Sequence, residues 1–149
     1  MAPIVAEVSV SRPPAEVFAY ATDPSRFSEW QPGVVTGHIE GDGPTQVGSR
    51  CLMTRRVGGA IRTSVSTVTQ VNPPLAWAVH GIDGPVRADV SVTVDSVNGG
   101  AGSQVTIRLD FRGHGAGLIL LPLVIRQARK ELPRSCRNLK RRLETAANL

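Results

Sequence analysis

Seven segments of the chain alternate apolar and polar residues, and a long final segment has the apolar spacing of a helix. The alternating segments cover residues 4–11, 34–40, 49–57, 60–71, 75–81, 86–97 and 103–112. A period of two predicts β-strands with one buried face. Turn residues such as Gly58-Gly59 separate the segments, as in antiparallel hairpins. A sheet with one apolar face needs a cover, and this requirement limits the possible folds.

The final segment predicts that cover. Its apolar residues recur every three or four positions over residues 118–147, which predicts one helix with an apolar stripe. The stripe consists of Leu121, Ile125, Ala128, Leu132, Cys136, Leu139 and Leu143. Pro133 lies inside this segment and removes one backbone hydrogen bond, so we predict a bend near residues 129–133.

Two short helices are predicted between the first and second strands. Prolines open the first helix, and Ser11 or Arg12 is expected near its N-cap. The second helix is expected to begin at Pro24, with Asp23 as the N-cap residue. The order of elements is therefore one strand, two short helices, six strands and one long helix.

This order predicts a single α+β domain over residues 1–149, an antiparallel seven-stranded sheet wrapped around the C-terminal helix. A chain of this length buries roughly two-thirds of the surface that its unfolded form exposes. Only 4% of the residues are aromatic, so few large side chains are present to fill the space between sheet and helix. The composition therefore favours a cavity.

Several other classes of protein are disfavoured. The longest apolar stretch, residues 118–125, contains a proline and is far shorter than the roughly 20 residues of a membrane-spanning helix. The N-terminus lacks the pattern of a secretory signal. Cys51 and Cys136 form neither a disulfide framework nor a zinc-binding pattern, so we expect no metal, no cofactor and a reducing, cytoplasmic location.

The net charge of +5 comes from the C-terminal helix. Residues 126–142 hold eight basic residues, whereas the chain outside residues 126–149 has nine basic and ten acidic residues. Such a basic face can bind nucleic acid, an acidic partner or an anionic membrane. The solvated outer face of a packed helix explains the same pattern, and the apolar side is needed to cover the sheet. We therefore expect no specific nucleic-acid partner, no insertion of this helix into lipid, and a monomer or homodimer.

Candidate catalytic groups are sparse. The histidines are His38, His80 and His114, and His80 is out of phase with Trp77 on its strand. His114 lies in a glycine-rich loop before the helix, where it can border a cavity mouth. Further polar candidates are Arg55, Asp110 and Tyr20. No catalytic triad, metalloprotease or phosphate-loop motif is present, so an enzymatic role stays open without a motif to support it.

Several stretches of the sequence resemble one known superfamily. They are residues 8–30, 32–34, Gly48, 71–79, 103–113 and 121–144. Together with the order of elements, they resemble the START-like superfamily, in particular its polyketide cyclase/dehydrase and lipid-transport group. The resemblance implies the helix-grip fold, in which a ligand lies between the concave face of the sheet and the long helix.

This resemblance implies a binding site for a hydrophobic small molecule of the lipid, polyketide or isoprenoid class. The implied wall consists of Phe27, Trp30, Met53, Val65, Trp77, Val79, Val92, Phe111, Leu121, Ile125 and Leu132. Phe27 and Trp30 are expected near the mouth. The same residues could instead pack into a closed core. The alternative function is that of a cofactor-free polyketide cyclase or dehydratase.

Overall fold

The computed structural model describes residues 3–146 and contains all seven predicted strands. The strands are β1 (Ile4–Val10), β2 (Val34–Ile39), β3 (Arg50–Val57), β4 (Ala60–Asn72), β5 (Ala76–Gly81), β6 (Val86–Val97) and β7 (Gly102–Gly113). The helices are α1 (Pro14–Ala21), a 3-10 helix (Pro24–Glu29), a short 3-10 turn (Asn98–Gly100) and α2 (Gly117–Ala146). The predicted elements therefore all form, with ends that shift by one or two residues.

The strands form one antiparallel sheet in the order β1-β7-β6-β5-β4-β3-β2. Strands from β2 to β7 pair with their neighbours in the chain, and β1 joins the sheet beside β7. In that pair, Ile4 lies opposite Leu109 and Val8 lies opposite Val105. The alternation of apolar residues therefore places one apolar face on the same side of every strand.

Helix α2 packs against this face, where it contacts β1, β6 and β7. Its later apolar residues, including Leu132, Leu139 and Leu143, are buried. The helix is continuous through Pro122 and Pro133. The predicted bend near Pro133 therefore stays a prediction, and the predicted helix end at Ala147 lies outside the described residues. The α+β helix-grip architecture is confirmed.

The two short helices differ in how they begin. Asp23 is the N-cap of the 3-10 helix, and its carboxylate accepts a hydrogen bond from the Ser25 N–H at 3.0 Å. The N-cap of α1 is Pro13, which makes no side-chain hydrogen bond, and Ser11 and Arg12 lie directly before it, near the cap as expected. Ser11 donates its N–H to Glu144, and the Arg12 side chain pairs with Glu16.

The membrane-spanning potential of the helices is low. Over the part of the chain that the structure describes, no helix combines the length and the apolar character needed to cross a bilayer.

Candidate functional site

A cavity of about 420 Å³ lies between the concave face of the sheet and α2. Strands β3 to β7, the 3-10 helix and α2 all contribute to its wall. The volume falls within the range of about 300–1,000 Å³ that is typical of small-molecule sites. The interior is therefore hollow rather than closed by packing.

Nine of the eleven residues expected in the wall line this cavity. They are Phe27, Trp30, Met53, Val65, Trp77, Val79, Val92, Phe111 and Leu132. Leu121 and Ile125 do not line the cavity, whereas the residues directly before them, Leu120 and Val124, do. Successive residues of a helix point about 100° apart, so Leu121 and Ile125 face away from the cavity. The stripe of α2 is thus divided between residues that face the cavity and residues that pack elsewhere.

Aromatic rings close the inner end of the cavity. Phe27 meets Trp30 and Trp77 edge to face, with ring centroids 5.7 Å and 6.0 Å apart. All three side chains are buried. Phe27 and Trp30 therefore lie deep in the molecule and not near the mouth, because the 3-10 helix packs against β2 and directs them inward.

The mouth lies at the opposite end of the cavity. It is bordered by the β3–β4 hairpin, the β5–β6 turn and the first turns of α2, where Leu120 and Leu123 are partly exposed. Gly117 begins α2 directly against the carbonyl group of Pro85, where a Cβ atom would overlap with that group. A glycine at this position therefore allows α2 to start at the rim of the sheet.

Arg55 brings a charge into this mostly apolar cavity. It lies on β3 on the same face as Met53, and one guanidinium nitrogen donates to Gln31 Oε1 at 3.1 Å. Burial lowers the pKa of Arg55 below its ordinary value, and the carboxylate of Glu131 partly offsets that effect. A guanidinium carries five N–H donors and stays protonated. Most of these donors have no acceptor among the described residues.

Glu131 lines the same cavity from α2. Its Oε1 accepts a hydrogen bond from Gln127 Nε2 at 3.0 Å, and its carboxylate lies over Gly33, 3.3 Å from the position that a Cβ atom there would take. Glu131 is not among the residues expected in the wall, since the basic segment that contains it is typical of the solvated outer face of a helix. Glu131 lies four residues after Gln127 and beside Leu132, and all three residues line the cavity. Counting the neighbours of the apolar stripe as part of the inward face of α2 would have included Glu131.

His38, His80 and His114 all lie within the described residues, and none of them lines the cavity. His80 lies on the convex face of the sheet, as its phase on the strand predicts, and its Nδ1 is 2.7 Å from Asp89 Oδ1. His38 is exposed. The His114 side chain is also exposed, and its backbone N–H donates to the carbonyl of Pro85. The catalytic roles considered for these histidines therefore have no support from the cavity.

Two other polar candidates also lie outside the cavity. Asp110 borders a shallow depression on the convex face, close to His80 and Asp89. Tyr20 donates its hydroxyl hydrogen to Glu29 at 2.9 Å. Burial, together with that hydrogen bond, raises the pKa of Tyr20 to about 12. Neither group is placed to act on a molecule inside the cavity.

The cysteines are free and buried. Cys51 lines the cavity, whereas Cys136, a residue of α2, packs in the core. Burial raises the pKa of each thiol to about 11, so both stay protonated near neutral pH and are poor nucleophiles. Within residues 3–146, no group of three or more potential metal ligands comes together.

Solved structures with this fold include proteins of several descriptions. The aromatase/cyclase ZhuI of Streptomyces sp. R1128 is 17% identical, with a TM-score of 0.74 over 97% of both chains. A START superfamily protein of Mycobacterium smegmatis is 13% identical, with a TM-score of 0.76 over 97% of this chain and 98% of that one. At these identities the similarity establishes the fold alone.

A third similar structure is the di-domain aromatase/cyclase BexL of the BE-7585A biosynthetic pathway, with 18% identity and a TM-score of 0.76. All of this chain is covered, but it spans about half of that protein, 48% of its length.

The sequence itself matches a family that the fold also fits. Among curated protein sequences, none matches this chain. The family described as polyketide cyclase/dehydrase and lipid transport matches residues 1–144, almost the full length of 149 residues. With the seven-stranded sheet, the long helix and the cavity between them, this match shows that the chain belongs to the polyketide cyclase/dehydrase and lipid transport family.

Proposed function

We propose that the protein binds an apolar small molecule of the lipid, polyketide or isoprenoid class that carries a carboxylate or carbonyl oxygen, and that this oxygen contacts Arg55. The observation that carries this proposal is the Arg55 guanidinium in an otherwise mostly apolar wall. Gln31 takes one of its donors, so several N–H groups are free for a ligand. A buried cation is costly without a partner, and an oxygen-bearing ligand would supply one.

The rest of the wall favours a flat apolar body. Phe27, Trp30 and Trp77 form the inner end, and Met53 and Val92 flank them from the sheet. Aromatic edges and faces pack well against planar rings. A ligand with a ring system and one polar oxygen therefore matches both the aromatic end and Arg55.

A matched pair of probes tests this proposal. The probes are 2-naphthoate and 2-methylnaphthalene, and each is titrated against an anilinonaphthalene dye bound in the cavity. Charge-assisted hydrogen bonds to Arg55 are expected to favour the carboxylate about tenfold or more. Arg55→Met removes that preference, whereas Arg108→Met, an exposed position on the convex face, leaves it unchanged. Equal affinities for both probes in the unmodified protein contradict the proposal.

A cyclase or dehydratase activity is the second candidate, favoured by the presence of Glu131 and Arg55 in one cavity. A carboxylate can remove a proton from carbon next to a carbonyl group, while a guanidinium stabilises the enolate oxygen that forms. Arg55 lines the cavity from β3, and Glu131 lines it from α2.

Exchange of carbon-bound hydrogen tests this second candidate. The probe is 2-tetralone in deuterated buffer, with the loss of its α-proton signal followed by NMR. We expect the protein to accelerate the exchange, Glu131→Gln to abolish the acceleration and Glu144→Gln to retain it. Binding of the probe without acceleration rejects the enzymatic role and leaves the binding role in place.

A further inference from the structure

Large apolar side chains at the start of α2 lie in solvent, although the same helix buries its later apolar residues. They are Leu118, Ile119, Leu120 and Leu123, which are 63%, 83%, 38% and 57% exposed. We call these four residues the α2 tip. The tip borders the cavity mouth, since Leu120 and Leu123 also line the cavity. Adjacent exposed apolar side chains of this kind are typical of an interaction surface.

Basic residues follow the tip on the same side of the helix. Arg126 lies seven residues after Ile119, and Lys130 lies seven residues after Leu123, so each pair falls on nearly the same face. Along the axis, each cation lies about 10 Å behind its apolar partner. All four side chains are exposed or border the mouth. The helix thus has an apolar end followed by a positively charged band.

The sheet adds cations near the same opening. Arg56 and Arg62 lie on β3 and β4 close to the hairpin between them, and both line the cavity entrance. Within the part of the chain that is described, none of Arg56, Arg62, Arg126 and Lys130 forms an ion pair. Arg56 and Arg62 therefore place positive charge at the cavity mouth that the tip borders, and Arg126 and Lys130 follow the tip along α2.

We propose that the α2 tip docks on the surface of an anionic phospholipid bilayer, with the cavity mouth facing the lipid. Interfacial helices bury apolar side chains about 5–10 Å into the boundary between headgroups and acyl chains. With Ile119 and Leu123 at that depth, Arg126 and Lys130 reach the level of the lipid phosphates. The charge complementarity favours an anionic surface. Docking depends on the α2 tip and on Arg126 and Lys130, so it does not depend on which ligand the cavity binds.

A second copy of the chain fits the α2 tip less well than an anionic bilayer does. A two-fold dimer brings the same surface of each copy together. Arg126 and Lys130 behind the tip form no ion pair among the described residues, so such a dimer would bring like charges together. The expectation that α2 cannot enter lipid without uncovering the sheet concerns its buried stripe, whereas Leu118 and Ile119 lie outside that stripe.

Co-sedimentation with vesicles tests the proposal. The vesicles are phosphatidylcholine alone and phosphatidylcholine mixed with phosphatidylglycerol. We expect binding to the mixed vesicles, weaker at high salt, and little binding to phosphatidylcholine alone. Ile119→Ser with Leu123→Ser is expected to lower the partition coefficient about tenfold or more. Arg126→Gln and Lys130→Gln are each expected to lower it about fivefold.

Matched controls come from exposed positions far from the tip. Val47→Ser removes an exposed apolar side chain from the loop before β3, and Arg137→Gln removes a cation on α2 about 27 Å from Ile119. Neither is expected to change binding, and circular dichroism checks that every variant is folded. Absence of binding to the mixed vesicles overturns the proposal. So does an equal effect of Arg137→Gln, or a concentration-dependent dimer that only the tip substitutions dissociate.

Discussion

The ring of Phe27 meets the indole of Trp77 edge to face, with centroids 6.0 Å apart and planes at 80°. This contact joins the 3-10 helix to β5 across the inner end of the cavity. Phe27, from the short helical segment, therefore bounds the cavity at its inner end, while the sheet and α2 form the side walls.

Replacing the Phe27 ring with a smaller side chain is expected to lengthen the cavity at its inner end. Phe27→Leu removes aromatic atoms from the inner end and lowers the free energy of unfolding by about 1–3 kcal/mol, because packing contacts are lost. Binding of three-ring probes such as anthracene carboxylate is expected to improve relative to 2-naphthoate. Phe18→Leu is the control, since Phe18 is equally buried but does not line the cavity. Equal changes in probe preference for both variants would contradict the assignment.

Removing the charge of Arg55 is expected to stabilise the unliganded protein. Its side chain is partly buried and makes one hydrogen bond, to Gln31. Burial disfavours the charged form of Arg55, and no carboxylate among the described residues lies within ion-pair distance of it, so Arg55→Met is expected to raise the free energy of unfolding by about 1 kcal/mol. For a chain of this size, the melting temperature then rises by about 2–4 °C. Thermal denaturation measures this shift.

The control for this prediction is Arg108→Met, because Arg108 is exposed on the convex face. Its effect on stability is expected to stay within about 0.5 kcal/mol. A lower melting temperature for Arg55→Met than for the unmodified protein would indicate that Arg55 stabilises the fold rather than serving a ligand.

Gly37 is expected to tolerate no side chain. A Cβ atom at this position would lie 2.6 Å from Met53 Sδ and 2.6 Å from the carbonyl oxygen of Pro24. Gly37→Ala therefore forces β2 away from the 3-10 helix, and we expect a loss of about 1–3 kcal/mol in unfolding free energy. Urea denaturation measures the loss. Gly43→Ala is the control, since a Cβ atom there meets nothing within 4 Å.

The sequence predicts the sheet well because the alternation of apolar and polar residues lies within each single strand. Alternation along β6 and β7, such as Val92 and Val94 on one face, determines which side is buried wherever the strands pair. The residues that line the cavity are harder to predict. Leu120 lines it and its neighbour Leu121 does not, but the two side chains are equally hydrophobic, so the sequence does not show which one faces the cavity. Glu131 shows the same difficulty, since a carboxylate beside a basic run looks exposed until the sheet is placed around it.

The α2 tip is the clearest case in which hydrophobicity misleads. Leu118 and Ile119 belong to the most apolar stretch of the chain, and apolar residues of a helix normally cover a core. Whether they do so depends on where the sheet ends relative to the helix. That position is set by the contact of Gly117 with Pro85, two residues far apart in the sequence.

The two cysteines are expected to report ligand binding through their reactivity. Both are buried, and burial raises the pKa of each thiol to about 11, so labelling by a disulfide reagent at pH 8 should be slow until the protein opens. Cys51 lines the cavity and Cys136 does not. A saturating ligand should therefore slow labelling of Cys51 more than that of Cys136. Mass spectrometry after timed labelling distinguishes the two sites, and equal protection would indicate general stabilisation instead.

The last turns of α2 are expected to contribute acid-sensitive stability. Glu144 accepts hydrogen bonds from Lys140 Nζ and from the Ser11 N–H, each at 2.9 Å. The hydrogen bond from Lys140, followed by that from Ser11, lowers the pKa of Glu144 below its ordinary value of 4.5. A lowered carboxyl pKa gives stability that is present above the ordinary pKa and is lost as the pH falls through the folded-state pKa. Stability should therefore decline as the pH drops below about 4.5.

Substitution of Glu144 tests this pH dependence. Glu144→Gln should destabilise the protein at neutral pH, and the difference from the unmodified protein should shrink as the pH falls below the ordinary carboxyl pKa. Because the side chain is largely solvated, the effect is expected to be small. Urea denaturation across the acidic range measures it, with Asp42→Asn as the control, since Asp42 is exposed and forms no ion pair among the described residues. A difference that stays constant across this range would show that the hydrogen bonds to Glu144 do not depend on its charge.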